Sequence, residues 1–184
     1  MSDARIQAIL IVGGFDLVWV AAAYGGATSR TGWPGLVAVA LFLALLGARG
    51  RISGREFGPL MGWALVGFVV ELAFVGAGWI AYTSTYIEIF RVPLWVIALW
   101  VAFGAALVAL WRPAKPPLAL LWAFALAAPL AYLAGASFGA LTIAPLSPAR
   151  WLLISLAYVC ALTALTRLPC RGTQSFLPKR SASS

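Results

Sequence analysis

Histidine is absent from the 184 residues, and the acidic residues number only five: Asp3, Asp16, Glu56, Glu71 and Glu88. Without imidazole the chain lacks the commonest general base, haem ligand and metal ligand together. Cysteine does not replace it. Cys160 lies inside an apolar run and Cys170 beyond its end, a spacing that reads as two free thiols rather than a ligand pair. A metal centre would need to be built mainly from carboxylates, so no metal and no cofactor is expected. Charge is scarce as well, at 10% of residues where a soluble domain carries roughly 25%.

What fills the space is apolar: 63% of the chain is hydrophobic, with nine tryptophans. The apolar residues come in long runs, each near the ~20 residues that a helix needs to cross a bilayer core. These features predict an all-α polytopic membrane protein with no soluble domain. Hydropathy places six transmembrane helices at about 6–26, 34–48, 59–81, 93–111, 117–139 and 150–167. The breaks contain helix-incompatible sequence, such as "RTGWPG", "ARGRISGREFGP" and the proline-rich "WRPAKPP". Residues 169–184 read as a disordered basic tail.

The net charge of +8 would point to nucleic acid in a soluble protein. Here the basic residues lie in short loops and the tail, with no basic stripe interleaved with aromatics, and no nucleic-acid partner is expected. Their distribution instead sets a direction. Arg5, the loop with Arg49, Arg51 and Arg55, the loop with Arg112 and Lys115, and the tail with Arg167, Arg171, Lys179 and Arg180 fall on one side of the six-span layout. Only Arg30, Arg91 and Arg150 fall on the other. By the positive-inside rule both termini are cytoplasmic. A cleaved signal peptide is disfavoured by Asp16 within the would-be apolar region and by the weakly basic start.

Two acids sit inside apolar runs: Asp16 in "GGFDLVWV" and Glu71 in "FVVELAFVG". At 1.5 Å per residue both lie about 15–18 Å into parallel helices, near the bilayer midplane. Pro129 falls at the same depth in the fifth helix and interrupts its backbone ladder, with Tyr132 one turn on. Ala64, Gly67 and Gly78 share the helical face of Glu71, and Gly13, Val20 and Ala23 flank Asp16, so both acids are expected to point into the bundle. An ionised carboxylate at that depth costs roughly 2.5–3.5 kcal/mol, and no Lys or Arg in the spans offsets it. Each acid is therefore expected to be neutral and to donate a hydrogen bond. Asp16, Glu71, Pro129 and Tyr132 form the candidate intramembrane polar site: a proton relay or cavity floor, or else neutral pegs between helices. The aromatic residues Trp33, Trp79, Tyr82, Tyr86, Trp95, Trp111 and Trp151 fall near span ends and read as an interfacial belt. Trp19, Trp100, Trp122 and Tyr158 lie deeper and read first as packing, with the lining of a cavity as the alternative. "GASFG" at 135–139 matches a GxxxG helix contact.

The blocks "FDLVWVAAAYGG", "WALVGFVVELAFVGAGWIAY", "VPLWVIALWVAFGAAL" and "APLAYLAGASFGA" resemble the domain-of-unknown-function 2878 family of bacterial inner-membrane proteins. The resemblance covers about residues 8–168 and rests most on Pro93, Leu94, Trp95, Leu99, Trp100 and Phe103, and on Pro129, Leu130, Tyr132, Ala134 and Gly135. It implies a multi-pass protein of the bacterial inner membrane. It also implies a context of lipid modification, and that an acid is usual at Glu71 whereas Gln is common at the position of Asp16. Three functions fit these observations: an accessory or carrier protein for membrane-lipid modification, an intramembrane enzyme with Glu71 as acid/base, or a structural subunit packed against another membrane protein. The bilayer is the expected partner, with a lipid substrate or a membrane-protein partner in addition.

Overall fold

The computed structural model describes residues 3–29, 31–83, 87–111, 118–145 and 147–167. Its helices are α1 (Asp3–Ser29), α2 (Trp33–Ala48), α3 (Phe57–Gly76), α4 (Leu94–Trp111), α5 (Leu118–Ser137) and α6 (Pro148–Arg167). Three of these contain stretches long and apolar enough to cross a membrane: Arg5–Ser29, Gly54–Gly76 and Pro148–Leu165. The other three are shorter apolar helices. The expected tail at 169–184 and the basic loop at 112–116 lie outside the described residues.

Helix starts and stops follow local chemistry. Pro34 opens α2 in its first turn, where a missing N–H costs nothing. The sequence reading carries the third helix on to residue 81; the structure ends it at Gly76. Gly78 takes a left-handed φ of 68°, and Gly78 N and Trp79 N donate back to the carbonyls of Val75 and Phe74. This closes the helix and satisfies its last carbonyls. α5 ends in the same way, with Gly139 at φ 82° and Ala140 N donating to Gly135 O. Gly139 thus lies in a turn rather than in the helix contact that "GASFG" implied, and the Gly135 position abuts Leu141.

After each turn the chain extends into a short strand, β1 (Ile80–Tyr82) after α3 and β4 (Leu141–Ile143) after α5. The two pair antiparallel, Ile80 with Ile143 and Tyr82 with Leu141. A second ribbon pairs β2 (Glu88–Ile89) with β3 (Val92–Pro93). Its two-residue turn, Phe90–Arg91, holds positive φ at both positions, as a type I′ hairpin requires. The expected all-α class therefore gains two small ribbons, which hydropathy cannot distinguish from helix ends. Gly78→Ala is expected to lower stability by about 1–2 kcal/mol through its left-handed backbone alone, since an added Cβ meets nothing. Gly76→Ala, helical and equally open, should leave the unfolding midpoint in detergent unchanged or raised, and equal losses at both positions would refute this account of the turn.

α4 lies at the centre, packed on α1, α2 and α3, while α6 joins α5 to α3. Reciprocal glycine–tryptophan contacts draw α3 and α4 together. The Trp100 ring covers Gly67, and the Trp63 ring covers Gly104. Backbones of α5 are not packed closely on α1 or α4. Aromatic rings bridge that gap instead, Phe103 to Phe124 at 5.6 Å and Trp19 to Phe138 at 6.0 Å.

Candidate functional site

The gap left by α5 is a chamber of about 500 Å³. Its wall is chiefly aliphatic and aromatic, and among the described residues it contains no Lys or Arg. One corner is polar. Glu71, 2% exposed, is the centre of that corner. Its Oε1 accepts from Trp100 Nε1 at 3.1 Å and from the Tyr132 hydroxyl at 2.8 Å. Its Oε2 accepts from the Tyr82 hydroxyl at 2.6 Å. The chain of contacts continues, because the Tyr132 and Tyr158 hydroxyls stand 3.0 Å apart.

Each element delivers its donor for a local reason. Trp100 reaches Glu71 because Gly67, one turn earlier on α3, leaves room for the indole to lie against that helix. Tyr82 reaches it because α3 stops at Gly76 and β1 turns back. Had the helix continued, eleven residues would have carried Tyr82 about 16 Å along the axis. Glu71 and Tyr132 occupy matched places, each seven residues before the left-handed glycine of its helix end. The β1–β4 pairing that joins those ends sets the two side chains opposite one another.

The sequence reading makes Glu71 a neutral donor; the donors around it decide which oxygen can carry that proton. An indole N–H can only donate, so Oε1 is an acceptor whatever the charge. Only Oε2 can carry a proton, with the Tyr82 hydroxyl then turning to accept. A carboxylate is also accommodated, since three donors replace part of its lost hydration. The site can thus hold or yield one proton without rebuilding its frame.

The four expected site residues separate into three roles. Glu71 and Tyr132 touch. Pro129, less than 2% exposed, lies one turn before Tyr132 in the interior of α5 and is not part of the chamber wall. Asp16 lines the chamber but is exposed, and it makes no hydrogen bond to a described residue. Both acids face the chamber between the helices, Glu71 buried in its corner and Asp16 exposed where α1 meets open space rather than a helix. Val12 and Asp16 of α1 and Ala127, Leu130 and Ala131 of α5 are all exposed wall residues, and they mark an opening between the two helices.

Four residues in or beside the polar corner have contacts that sequence reasoning does not assign. Tyr82 and Trp95 read as interfacial belt residues, yet Tyr82 binds Glu71 and Trp95 is 5% exposed, with its ring edge-on to Tyr82. Trp100 and Tyr158 read as packing but carry polar contacts. The signal for Tyr82 was present in Gly78, whose helix-ending role brings the strand back. Trp33 does match the belt reading, being 55% exposed at the start of α2. Among the described residues no group of three or more His, Cys, Asp or Glu is placed to hold a metal ion.

No curated protein and no solved structure shows significant similarity to the chain. A family model described as "Protein of unknown function (DUF2878)" matches residues 8–164, and the chain belongs to that family.

Proposed function

We propose that the protein is a six-span bacterial inner-membrane protein, both termini cytoplasmic, that acts as a carrier or accessory protein in membrane-lipid modification. In this reading it admits a lipid-like molecule between α1 and α5 and holds the molecule's polar head beside Glu71. The observation that carries this is the chamber itself, chiefly apolar, with one hydrogen-bonding corner at Glu71 and Asp16 at its opening. An orienting polar group in a dry apolar cavity is the usual arrangement of a small-molecule site. The lateral position of the opening suits a ligand that arrives from a bilayer. The link to lipid modification comes from the family resemblance.

The wall also constrains the head group. Glu71 and Asp16 supply acceptors, and no cation is present to receive a phosphate or carboxylate. Trp95 lines the same chamber, but its indole nitrogen is buried against Gly26 and Gly32 and offers the head group no donor. A hydroxyl head donates to a carboxylate, whereas an anionic head has no proton to donate and would be buried beside two acids without a counter-charge. The ligand is accordingly a long-chain lipid with an uncharged hydroxyl head.

The test is photolabelling of the reconstituted protein with a diazirine-bearing long-chain alcohol. Labelling should map to α1 and α5, compete with unlabelled alcohol, and fall by about tenfold in Ala131→Trp, which fills the opening. Labelling spread evenly over lipid-exposed helix faces, or unaffected by Ala131→Trp, would reject the chamber as a binding site. Preference for the matching fatty acid would reject the head-group assignment alone.

A second reading, acid–base chemistry within the membrane, is favoured by the Glu71–Tyr132–Tyr158 chain, which offers a path for a proton. Glu71→Gln separates the two, as argued below.

A further inference from the structure

A second cavity lies on the other side of α1, away from Glu71. It is a groove of about 520 Å³ between α1 and α2, and it shares no wall residue with the chamber. Its floor is Ile11, Phe42 and Leu46, each 7% exposed or less. Its rims, Leu10 at 54% and Leu45 at 48%, stand open to the surroundings. Gly14 closes the floor, where a Cβ would come within 3.2 Å of the Phe42 ring. From Ile6 to Gly14 the α1 wall runs about 12 Å at 1.5 Å per residue.

One end of this groove is polar and cationic. Arg49 and Arg51 both line it, with Gln7 facing them from α1. Their placement is fixed by the turn that ends α2: Gly50 takes φ 64° and Arg51 N donates to Leu46 O at 2.9 Å. The two guanidinium-bearing residues therefore flank a left-handed glycine at the groove's mouth. Among the described residues no Asp or Glu lines the groove.

The geometry points to a binding site for an anionic phospholipid, with one acyl chain in the groove and the phosphate at Arg49 and Arg51. Charge complementarity selects this occupant. A neutral lipid or a helix of a partner protein would fill the apolar floor but leave two arginines and an amide without a counterpart. Arginine forks match phosphate oxygens bidentately, and basic pockets between apolar helices near a membrane surface recognise acidic head groups. The site is independent of the chamber and of the alcohol assigned to it.

The experiment is native mass spectrometry of the full chain released from detergent, with phosphatidylglycerol or phosphatidylcholine of equal chain length added. Phosphatidylglycerol should be retained about tenfold or more in preference, and Arg49→Gln with Arg51→Gln should abolish the preference. Leu45→Trp, which keeps both arginines and obstructs the groove, should reduce retention of both lipids to background. It serves as the deciding variant if the charge change impairs membrane insertion. Equal retention of the two lipids by the unmodified protein would overturn the proposal, as would full retention by Leu45→Trp. Displacement of bound phosphatidylglycerol by millimolar inorganic phosphate would also overturn it, showing an anion site that does not hold the chain.

Discussion

Glu71→Ala is expected to destabilise the protein by about 3–5 kcal/mol, the range for removing one partner from a buried charged network. The loss comes less from the carboxylate than from what it leaves behind. Trp100 Nε1 and the hydroxyls of Tyr82 and Tyr132 all lose their acceptor in one change, and each buried donor left unpaired costs about 1–3 kcal/mol. Tyr132 keeps Tyr158 as an alternative partner, so the full sum is not reached. Glu71→Gln should behave differently. Its amide oxygen can serve Trp100 and Tyr132, and its NH2 can donate to Tyr82, whose hydroxyl accepts once rotated. A loss of no more than about 1–2 kcal/mol is expected there. Reversible unfolding in mixed micelles measures both variants, and near-equal destabilisation would show that the three donors do not converge on this side chain.

The same pair of variants decides between the two functional readings. Glutamine preserves the acceptor that a lipid hydroxyl needs but cannot exchange a proton near neutral pH. Alcohol labelling retained in Glu71→Gln, with the cellular lipid profile of the unmodified protein, supports holding. Retained labelling with a lost lipid phenotype supports proton transfer at Oε2. Loss of labelling in Glu71→Gln would show that the head group is recognised by the carboxylate as a charge.

The residues that the sequence makes legible are those whose meaning is local to one helix. Glu71 stands out because a carboxylate in an apolar run has few explanations, and Gly67 on its face marks the side of close packing. Tyr132 follows from depth alone, since parallel helices of equal offset bring equal positions level. Tyr82 does not follow, because its contact depends on where α3 stops. The run "ELAFVGAGWIAY" is apolar well past that point, and hydropathy registers no ending. Gly78 decides it through backbone conformation, which composition does not encode. Asp16 lies between the helices as its face implies, but its exposure is not legible. Its helical face carries small residues and so reads as a contact face, but the neighbour that would cover it, α5, is held off by the rings of Phe103 and Phe124. The presence of a chamber is a property of how helices are spaced, and no single helix displays it.

Gly67 connects the fold to the site, and Gly67→Ala is expected to cost about 2–5 kcal/mol, combining overpacking with a broken buried hydrogen bond. A Cβ at this position would lie 2.1 Å from Trp100 Cγ and 2.3–2.5 Å from two further ring carbons. The indole must move by more than 1 Å to restore contact distance (about 3.5 Å or more between carbons). That shift takes Nε1 away from Glu71 Oε1, already at 3.1 Å. The ring also packs against Tyr158, with centroids 5.1 Å apart and planes tilted by 31°, which restricts its retreat. Substituting Trp100 by leucine in the Gly67→Ala background removes the obstructing ring. The double variant should therefore lose distinctly less than the sum of the two single losses, a coupling expected only for residues in contact. Gly76→Ala, on the same helix with open space at its Cβ, fixes the baseline for glycine removal from α3. If Gly67→Ala falls within about 0.5 kcal/mol of that baseline, or if the two single losses simply add, the Gly67–Trp100 contact does not position the indole. Glu71 would then be held by its two tyrosines alone.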